Sequence, residues 1–274
     1  MKSKFDGYVI VTDLDGTLLN NNKDISKENL ECINYFTENG GKFSVATGRV
    51  IEATEGYLSN MKINLPIIVY NGGVIYDYNN KKILSEKFID DNQKQIVNRI
   101  KEDYKNVGIE IYANRKLYII KDSGYSNRSA TRMLDIIYDV KDSVFLMDWN
   151  KILIVGTIED IDFVEATLYD RYKVKGTRSG RTSYELLPVN ESKGQALKTI
   201  MEMYNLQSNK IICVGDNMND LELLQEANFS FCPENSSKEL KKYSDFITPS
   251  NENHVIEYII SWLEEKINKK DIDA

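Results

Sequence analysis

The stretch that decides the fold is YVIVTDLDGTLL, residues 8–19. A short run of apolar and β-branched residues ends at Thr12, and Asp13 and Asp15 follow directly. Such a run is typical of a buried β-strand, so the two aspartates stand where that strand ends. Because like charges at this separation repel each other, the pattern predicts a positive charge between them.

Helices and strands alternate on both sides of the chain's middle. Segment 26–41, SKENLECINYFTENGG, has apolar residues at helical spacing, Ser26 as its N-cap and two glycines as a stop signal. A strand and turn at 42–49, a helix at 50–61 and a strand at 65–73 follow. The alternation returns with predicted helices at 192–206, 221–227, 237–244 and 254–267 and strands at 211–214, 229–234 and 245–248. This order predicts a parallel, doubly wound sheet.

The middle of the chain has a different pattern. Residues 74–88 are typical of a hairpin, and the remaining segments divide into predicted helices at 90–104, 125–139 and 160–172 and strand-like pieces at 109–120, 151–157 and 182–188. We therefore expect an α/β fold: a doubly wound parallel-sheet core formed by residues 1–82 and 187–274, with an inserted α+β domain at 83–186.

Composition narrows the classes of function. With 35 Lys and Arg against 42 Asp and Glu, the formal charge is −7, which argues against a general nucleic-acid binder. The N-terminal apolar run is interrupted at Asp13 and no apolar stretch reaches about 18 residues, so we expect a cytoplasmic protein without a membrane partner. His254 is the one histidine, which removes histidine triads and multi-histidine metal sites. The three cysteines show no metal-ligand spacing and fit a reducing compartment.

Polar residues gather where the predicted parallel strands end, which is where open α/β sheets bind their ligands. They are Asp13, Asp15, Gly16 and Thr17; Thr47, Gly48 and Arg49; Asn71, Gly72 and Gly73; and Gly215, Asp216, Asn217, Asn219 and Asp220, with Lys193 at the start of a late helix. Carboxylates massed without histidine suit a hard cation such as Mg²⁺. Lysine, hydroxyls and turn N–H groups suit phosphate oxygens. The set predicts a phosphoryl-transfer site.

Four segments in order, DLDGTLL (13–19), ATGR (46–49), SKGQAL (192–197) and VGDNMNDLELL (214–224), resemble the motifs of the haloacid dehalogenase superfamily of phosphatases. With YNGG at 70–73 and the large insert after the second motif, the chain resembles the Cof-type branch, relatives of sugar phosphatases and phosphomannomutases. The resemblance covers both core halves closely and the insert loosely. It implies a cap domain, residues 83–186, that sets substrate specificity.

The resemblance also implies a role for each aspartate of the first motif. Asp13 would be the nucleophile that forms an aspartyl-phosphate. Asp15 would protonate the leaving alcohol and then activate water. Because Asp15 is present, turnover of the aspartyl-phosphate is expected.

The remaining site residues follow from the same resemblance. Thr47 and Lys193 would bind the transferring phosphoryl group. Mg²⁺ would be held by Asp13, the backbone carbonyl of Asp15, and Asp216, with Asp220 completing the surroundings of metal and lysine. The predicted metal ligands are thus Asp13, Asp15, Asp216 and Asp220, and the predicted substrate-binding residues are Gly16, Gly48, Arg49, Asn71 and Asn219.

Several residues keep two interpretations. Arg49 either binds substrate or pairs with an acid at a helix start, and Asn71 is either a left-handed turn residue or a contact of the leaving group. Arg178 and Arg181 are either solvated or face the cleft. The tyrosines of the insert are more consistent with packing than with a sugar-stacking platform; they are Tyr112, Tyr118 and Tyr184.

The leading prediction is a Mg²⁺-dependent phosphatase that hydrolyses the phosphomonoester of a small metabolite, a sugar phosphate or similar. A hexose-phosphate phosphomutase is the nearest alternative, because it would use the same aspartate. A receiver-type signalling protein or a non-catalytic binding protein is an alternative of another class, but a receiver would carry its phosphoacceptor after the third strand, where this chain has Asn71. A D-x-D glycosyltransferase would leave the GDNMND loop unexplained. The sequence leaves the substrate and the oligomeric state open.

Overall fold

The computed structural model describes residues 3–125 and 133–272. The first part of the core contains β1 (Val9–Thr12), α1 (Lys27–Glu38), β2 (Lys42–Val45), α2 (Ile51–Leu58), β3 (Ile67–Val69), β4 (Val74–Asp77) and β5 (Lys82–Glu86). The insert contains α3 (Asp91–Asp103), β6 (Gly108–Ala113), β7 (Lys116–Lys121), β8 (Asp135–Ile137), β9 (Trp149–Val155), α4 (Ile158–Tyr172), β10 (Thr177–Gly180) and β11 (Ser183–Leu186). The second part contains α5 (Lys193–Tyr204), β12 (Ile211–Val214), α6 (Leu221–Gln225), β13 (Phe229–Pro233), β14 (Phe246–Thr248) and α7 (Val255–Ile272).

The core is a five-stranded parallel sheet in the order β14-β13-β12-β1-β2. Strand β1 lies between β12 and β2, and all four of its residues are buried, so both of its faces are covered. Ile10 packs into the cluster with α1 and α7, whereas Val9 and Val11 pack into the cluster with α5 and α6. This period-two division confirms the predicted sheet with helices on both faces.

A smaller antiparallel sheet of β3, β4 and β5 extends the core at its β2 edge. Ala46 and Ile68 form a parallel bridge that joins the edge to β3. The hairpin predicted at 74–88 is present as β4 and β5, and β5 continues to Glu86. The domain boundaries at 82/83 and 186/187 stay predictions.

The insert forms a six-stranded sheet in the order β10-β11-β9-β6-β7-β8. One face is covered by α3 and α4, whose buried residues pack with Ile109, Ile111, Ile152 and Ile154. Side chains alternate along a strand, so Glu110, Tyr112, Lys151 and Leu153 point to the opposite face, where they line a cavity against the core. The expected α/β core with an α+β cap is confirmed.

Two local predictions are wrong. The helix predicted at 125–139 is contradicted by strand β8, which pairs in parallel with β7; residues 126–132 of that segment lie outside the described residues. Pairing with β7 decides the conformation there, because a short apolar run does not distinguish helix from strand. The helix predicted at 237–244 is only a 3₁₀ turn at Leu240–Tyr243. Within the described ranges, none of the helices has both the length and the apolar content needed to cross a membrane.

Candidate active site

The carboxyl ends of four strands bring most of the predicted site residues to one cleft. Asp13 and Asp15 follow β1, Thr47 to Arg49 follow β2, Asn71 follows β3, and Asp216 to Asp220 follow β12. A cavity of about 450 Å³ opens over this edge and is lined by Asp13, Asp15, Thr47, Gly48, Arg49, Asp216 and Asn219 from the core. The strand-end rule therefore grouped these residues correctly.

Lys193 is a buried cation of the site, on the core side. It is the first residue of α5 and is fully buried, and its Nζ lies 2.6 Å from Asp13 Oδ1 and 2.6 Å from Asp220 Oδ1. Burial favours a lower pKa for Lys193, but the charges of Asp13 and Asp220 outweigh it and raise the pKa, so the ammonium stays charged. An ordinary helix start favours acids rather than a lysine, so the two aspartates account for this position.

Asp13 is 5% exposed, and its backbone N–H donates to Val214 O at 2.9 Å, which continues the pairing of β1 with β12. Burial raises the pKa of its carboxyl group well above the ordinary value, and the charges of Asp220, Asp216 and Asp15 add to the rise against the opposing effect of Lys193. A further positive charge near these carboxylates would lower the pKa of Asp13 and so favour its ionised form.

Asp13, Asp216 and Asp220 form a group of carboxylates that fits such a charge. One oxygen from each lies within 4.8 Å of the others. Burial and the charge of Asp220 raise the pKa of Asp216 to about 7, which a cation would oppose. Oxygen donors at this spacing fit a hard divalent ion, so the site could hold a metal.

The carboxylate of Asp220 also orders the loop after β12. Its Oδ2 accepts hydrogen bonds from the backbone N–H of Asp216 at 3.0 Å and of Asn217 at 3.2 Å, while Oδ1 accepts from Lys193. Asp220 is fully buried, and these three bonds satisfy it. These bonds fix the position of the Asp216 backbone relative to the Lys193 ammonium group.

Gly16 leaves the space that Asp216 occupies. Its φ is +80°, and a Cβ at this residue would lie 2.5 Å from Asp216 Oδ2. Thr17 Oγ1 donates to Asp216 Oδ1 at 3.3 Å, so the first motif positions the carboxylate from the other side. A glycine is required here both for the left-handed backbone and for the close approach.

The Asp15 carboxylate is held by two cations of the core. Arg49 donates from Nε to Oδ2 at 2.6 Å and from Nη2 to Oδ1 at 2.7 Å, and Lys23 Nζ lies 2.9 Å from Oδ1. Burial alone favours a higher pKa, but the hydrogen bonds and charge of Arg49, with those of Lys23, lower the pKa of Asp15 to about 2. Arg49 thus pairs with an acid just before α2, while it also lines the cavity.

Backbone bonds order the loops after β2 and β3. Thr47 Oγ1 accepts from the N–H of Arg49 at 3.2 Å, and Thr47 O accepts from the N–H of Asn71 at 3.0 Å. Asn71 has φ of 53°, the left-handed turn conformation, and its contact with the leaving group stays a prediction. Its side chain also donates from Nδ2 to Glu185 Oε2 at 2.8 Å and accepts from Asn219 Nδ2 at 3.1 Å, which places it at the contact with the cap.

Sequence reasoning missed the half of the cavity that the cap supplies, together with Lys23 of the core. Strands β6, β9 and β11 contribute Glu110, Tyr112, Lys151 and Glu185. A signal was present, since Lys151 and Glu185 are charged residues inside apolar strands, and a buried charge demands a partner. Which partner it finds depends on strand order, which the sequence leaves open.

The other cap residues divide as follows. Arg178 forms salt bridges with Asp162 and Glu165, and it lines a second cavity at the junction of cap and core. The backbone carbonyl of Arg181 accepts from Arg178 Nη2 at 2.7 Å. Tyr118 and Tyr184 pack in the cap core, in line with the packing interpretation, whereas Tyr112 lines the cavity.

With this geometry established, comparison with known proteins identifies the family. A family model for haloacid dehalogenase-like hydrolases matches residues 10–260. This chain belongs to the haloacid dehalogenase-like hydrolase family. The predicted membership of its Cof-type branch and the predicted class of enzyme, a phosphatase, are confirmed.

Relatives match over nearly the whole chain. The 5-amino-6-(5-phospho-D-ribitylamino)uracil phosphatase YwtE of Bacillus subtilis is 28% identical, covering 93% of this chain and 97% of its own. The phosphoglycolate phosphatase of Thermoplasma volcanium is 27% identical, covering 88% and 91%. Among solved structures, TM0651 from Thermotoga maritima has a TM-score of 0.77 at 30% identity, covering 93% and 96%. A putative HAD/COF-like hydrolase from Plasmodium vivax has a TM-score of 0.81 at 19% identity, covering 94% and 95%, and shows the shared fold.

Proposed function

We propose that this protein is a Mg²⁺-dependent phosphomonoesterase that hydrolyses a small phosphorylated metabolite through an aspartyl-phosphate at Asp13. The observation that carries the proposal is the pairing of Asp13 with the buried Lys193 at 2.6 Å, beside Asp216 and Asp220 and at a cavity that the cap also lines. This arrangement supplies a nucleophile, a fixed positive charge and a hard-cation site in one cleft.

In the first step a carboxylate oxygen of Asp13 attacks phosphorus, and the bond between phosphorus and the leaving oxygen breaks. Asp15 gives a proton to that oxygen. Because Arg49 and Lys23 hold the pKa of Asp15 at about 2, Asp15 takes up this proton only when its contact with Arg49 is exchanged for one with the substrate. Asp15 and Arg49 line the same cavity, which supports this exchange.

In the second step water attacks phosphorus of the aspartyl-phosphate, and Asp15 accepts its proton. The P–O bond to Asp13 breaks, which releases phosphate and restores the carboxylate. Lys193, the Thr47 hydroxyl and the turn N–H groups at Gly16 and Gly48 stabilise the phosphoryl oxygens in both steps.

The metal in this proposal is Mg²⁺, with Asp13, Asp216 and the backbone carbonyl of Asp15 as ligands and Asp220 as their support. When bound, it offsets the repulsion between an anionic nucleophile and an anionic ester. Oxygen donors and the buried, crowded carboxylates support this choice.

For the substrate we propose a phosphomonoester of a small polar metabolite. Three of the similar proteins are named as phosphatases of 5-amino-6-(5-phospho-D-ribitylamino)uracil, so this compound and sugar phosphates are the first to test. A phosphomutase would convert a hexose 1-phosphate to its isomer in the presence of the bisphosphate instead of releasing phosphate. A cytoplasmic location and the absence of nucleic-acid and membrane partners remain predictions.

The test measures phosphate release from p-nitrophenyl phosphate and from a panel of about 100 phosphorylated metabolites ranked by kcat/KM. We expect Asp13→Asn and EDTA each to abolish release, and Mg²⁺ to restore the EDTA-treated enzyme. Asp91→Asn, at a side chain that is 90% exposed on α3, is the control and should retain activity. Undiminished activity of Asp13→Asn would refute the mechanism, and binding of Mg²⁺ and substrate without turnover would favour a binding protein.

A further inference from the structure

Lys151 and Glu185 form an ion pair at the contact between cap and core. Lys151 lies on β9 and Glu185 on β11, and Lys151 Nζ is 3.1 Å from Glu185 Oε1. The two side chains are only 5% and 6% exposed. Lys151 Nζ also lies 4.7 Å from the ring centroid of Tyr112, so the charge is enclosed on several sides.

Each member of this pair also bonds to the core. Lys151 Nζ donates to Gly48 O at 3.0 Å, and Glu185 Oε2 accepts from Asn71 Nδ2 at 2.8 Å. Asn71 is 1% exposed and accepts from Asn219 Nδ2 at 3.1 Å. One connected set of hydrogen bonds therefore runs from two cap strands to the core loops after β2, β3 and β12.

The atoms that the pair contacts belong to the backbone and side chains beside the reaction centre. Gly48 lies between Thr47, which lines the cavity and whose hydroxyl accepts from the N–H of Arg49, and Arg49, which holds Asp15. A buried ion pair by itself adds little net stability, because its desolvation cost offsets its attraction. Its bonds to Gly48 and Asn71 give these charges a use that apolar side chains could not supply.

We propose that Lys151 and Glu185 are positioning residues that align the loops at Thr47–Arg49 and Asn71 when the cap is seated on the core. The alignment joins closure of the cap to the geometry of phosphoryl transfer. The kinetic part of this inference rests on the proposed phosphatase function.

A second ion pair between cap and core provides a matched control. Arg115, in the turn between β6 and β7, pairs with Glu52 in the first turn of α2. The Arg115 side chain is 62% exposed, so this pair lies at the rim. Loss of the Arg115 pair weakens cap docking without removing a bond to Gly48 or Asn71.

The experiment compares Lys151→Met, the double variant Lys151→Met/Glu185→Gln, and Arg115→Gln with the wild type, using p-nitrophenyl phosphate and Mg²⁺. We expect kcat to fall roughly 10- to 100-fold in both Lys151 variants, because small misplacements of catalytic groups have effects of this size. We expect Arg115→Gln to keep its kcat and to raise KM by at most about fivefold, as for an exposed ion pair.

The double variant separates positioning from stability. It leaves no buried charge unpaired, so its thermal midpoint should return towards that of the wild type while its kcat stays low. Recovery of kcat together with the midpoint would show a merely structural role and would overturn the proposal.

Hydrogen exchange of the backbone amides provides a readout that needs no activity. We expect faster exchange at residues 47–49 and 71–73 in both Lys151 variants than in Arg115→Gln. Unchanged exchange at these loops would overturn the proposal even if kcat fell. A wild type without phosphatase activity would refute the proposed function and leave the exchange experiment to decide the positioning role.

Discussion

Replacing Lys193 by methionine removes one positive charge from the most enclosed part of the site while nearly keeping the length of the side chain. Lys193 is fully buried and bonds at 2.6 Å to both Asp13 and Asp220. After the change, these two carboxylates and Asp216 remain within 4.8 Å of one another without an ammonium group among them. The cost is therefore that of leaving buried charges without their partner.

The structure sets the size of this effect. Removing one member of a buried ion pair costs about 3–5 kcal/mol. Asp13, whose pKa is already raised by burial and by the neighbouring carboxylates, can take up a proton and offset part of the cost, so we expect about 3 kcal/mol. A protein of this kind is stable by only about 5–15 kcal/mol, so the loss is easily measured. We also expect kcat to fall by at least about 100-fold, because the proposed donor to the transferring phosphoryl group is lost.

The assay is urea unfolding in EDTA and in Mg²⁺, followed by phosphatase kinetics. Mg²⁺ should restore more stability to Lys193→Met than to the wild type, because a bound cation replaces part of the missing charge. Lys198→Met is the matched control on the same helix: Lys198 is 50% exposed and pairs with Glu226 at 3.0 Å, so its loss should cost under about 1 kcal/mol. Equal stability of the two variants, with kcat retained in Lys193→Met, would refute the reasoning.

Three further outcomes follow from the site. Gly16→Ala should abolish Mg²⁺-dependent turnover, since its Cβ would lie 2.5 Å from Asp216 Oδ2; metal-dependent stabilisation of the variant, measured by thermal shift, should be lost as well. Gly72→Ala should lose several kcal/mol of stability or fail to fold, because φ is +107° and the Cβ would lie 2.1 Å from the backbone Ser192 O; normal urea unfolding would contradict this. Asp15→Asn should give a stoichiometric burst of p-nitrophenol followed by slow turnover, because formation of the aspartyl-phosphate from this good leaving group needs little proton transfer whereas its hydrolysis needs a base; absence of the burst in rapid-quench measurements would argue against the assigned role.

Much of the core could be predicted from the sequence because its determinants are local. The buried run at Val9–Thr12 and the alternation of helices around it define a parallel sheet, and a parallel sheet places all its strand ends on one edge. That rule alone brings Asp13 and Asp216 together across about two hundred residues of chain. The short β8 was missed because its conformation depends on pairing with β7. A pattern within the three residues of β8 does not reveal that partner.

The cap half of the site was missed for a related reason. Lys151 and Glu185 share a face of the sheet because Glu185 pairs with Leu153, two residues from Lys151 on β9. This face becomes part of the site only because β9 pairs with both β6 and β11 and the sheet lies over the core. Contacts such as Lys151 with Gly48 O join positions that no local pattern relates. The cap, which we expect to set substrate specificity, is therefore the part of the fold that local rules describe least.

Two aspartates two residues apart led to the prediction of a positive charge between them, and the structure supplies a cation to each one separately. Lys193 contacts Asp13 from one side and Arg49 contacts Asp15 from the other, while Leu14 between them is fully buried. The two carboxyl groups consequently have pKa values displaced in opposite directions, upward for Asp13 and to about 2 for Asp15. Different surroundings for neighbouring carboxyl groups are what a mechanism with a separate nucleophile and proton carrier requires. In the proposed mechanism Arg49 must release Asp15 before Asp15 can carry a proton, so exchange of this contact for one with the substrate joins substrate binding to the chemistry.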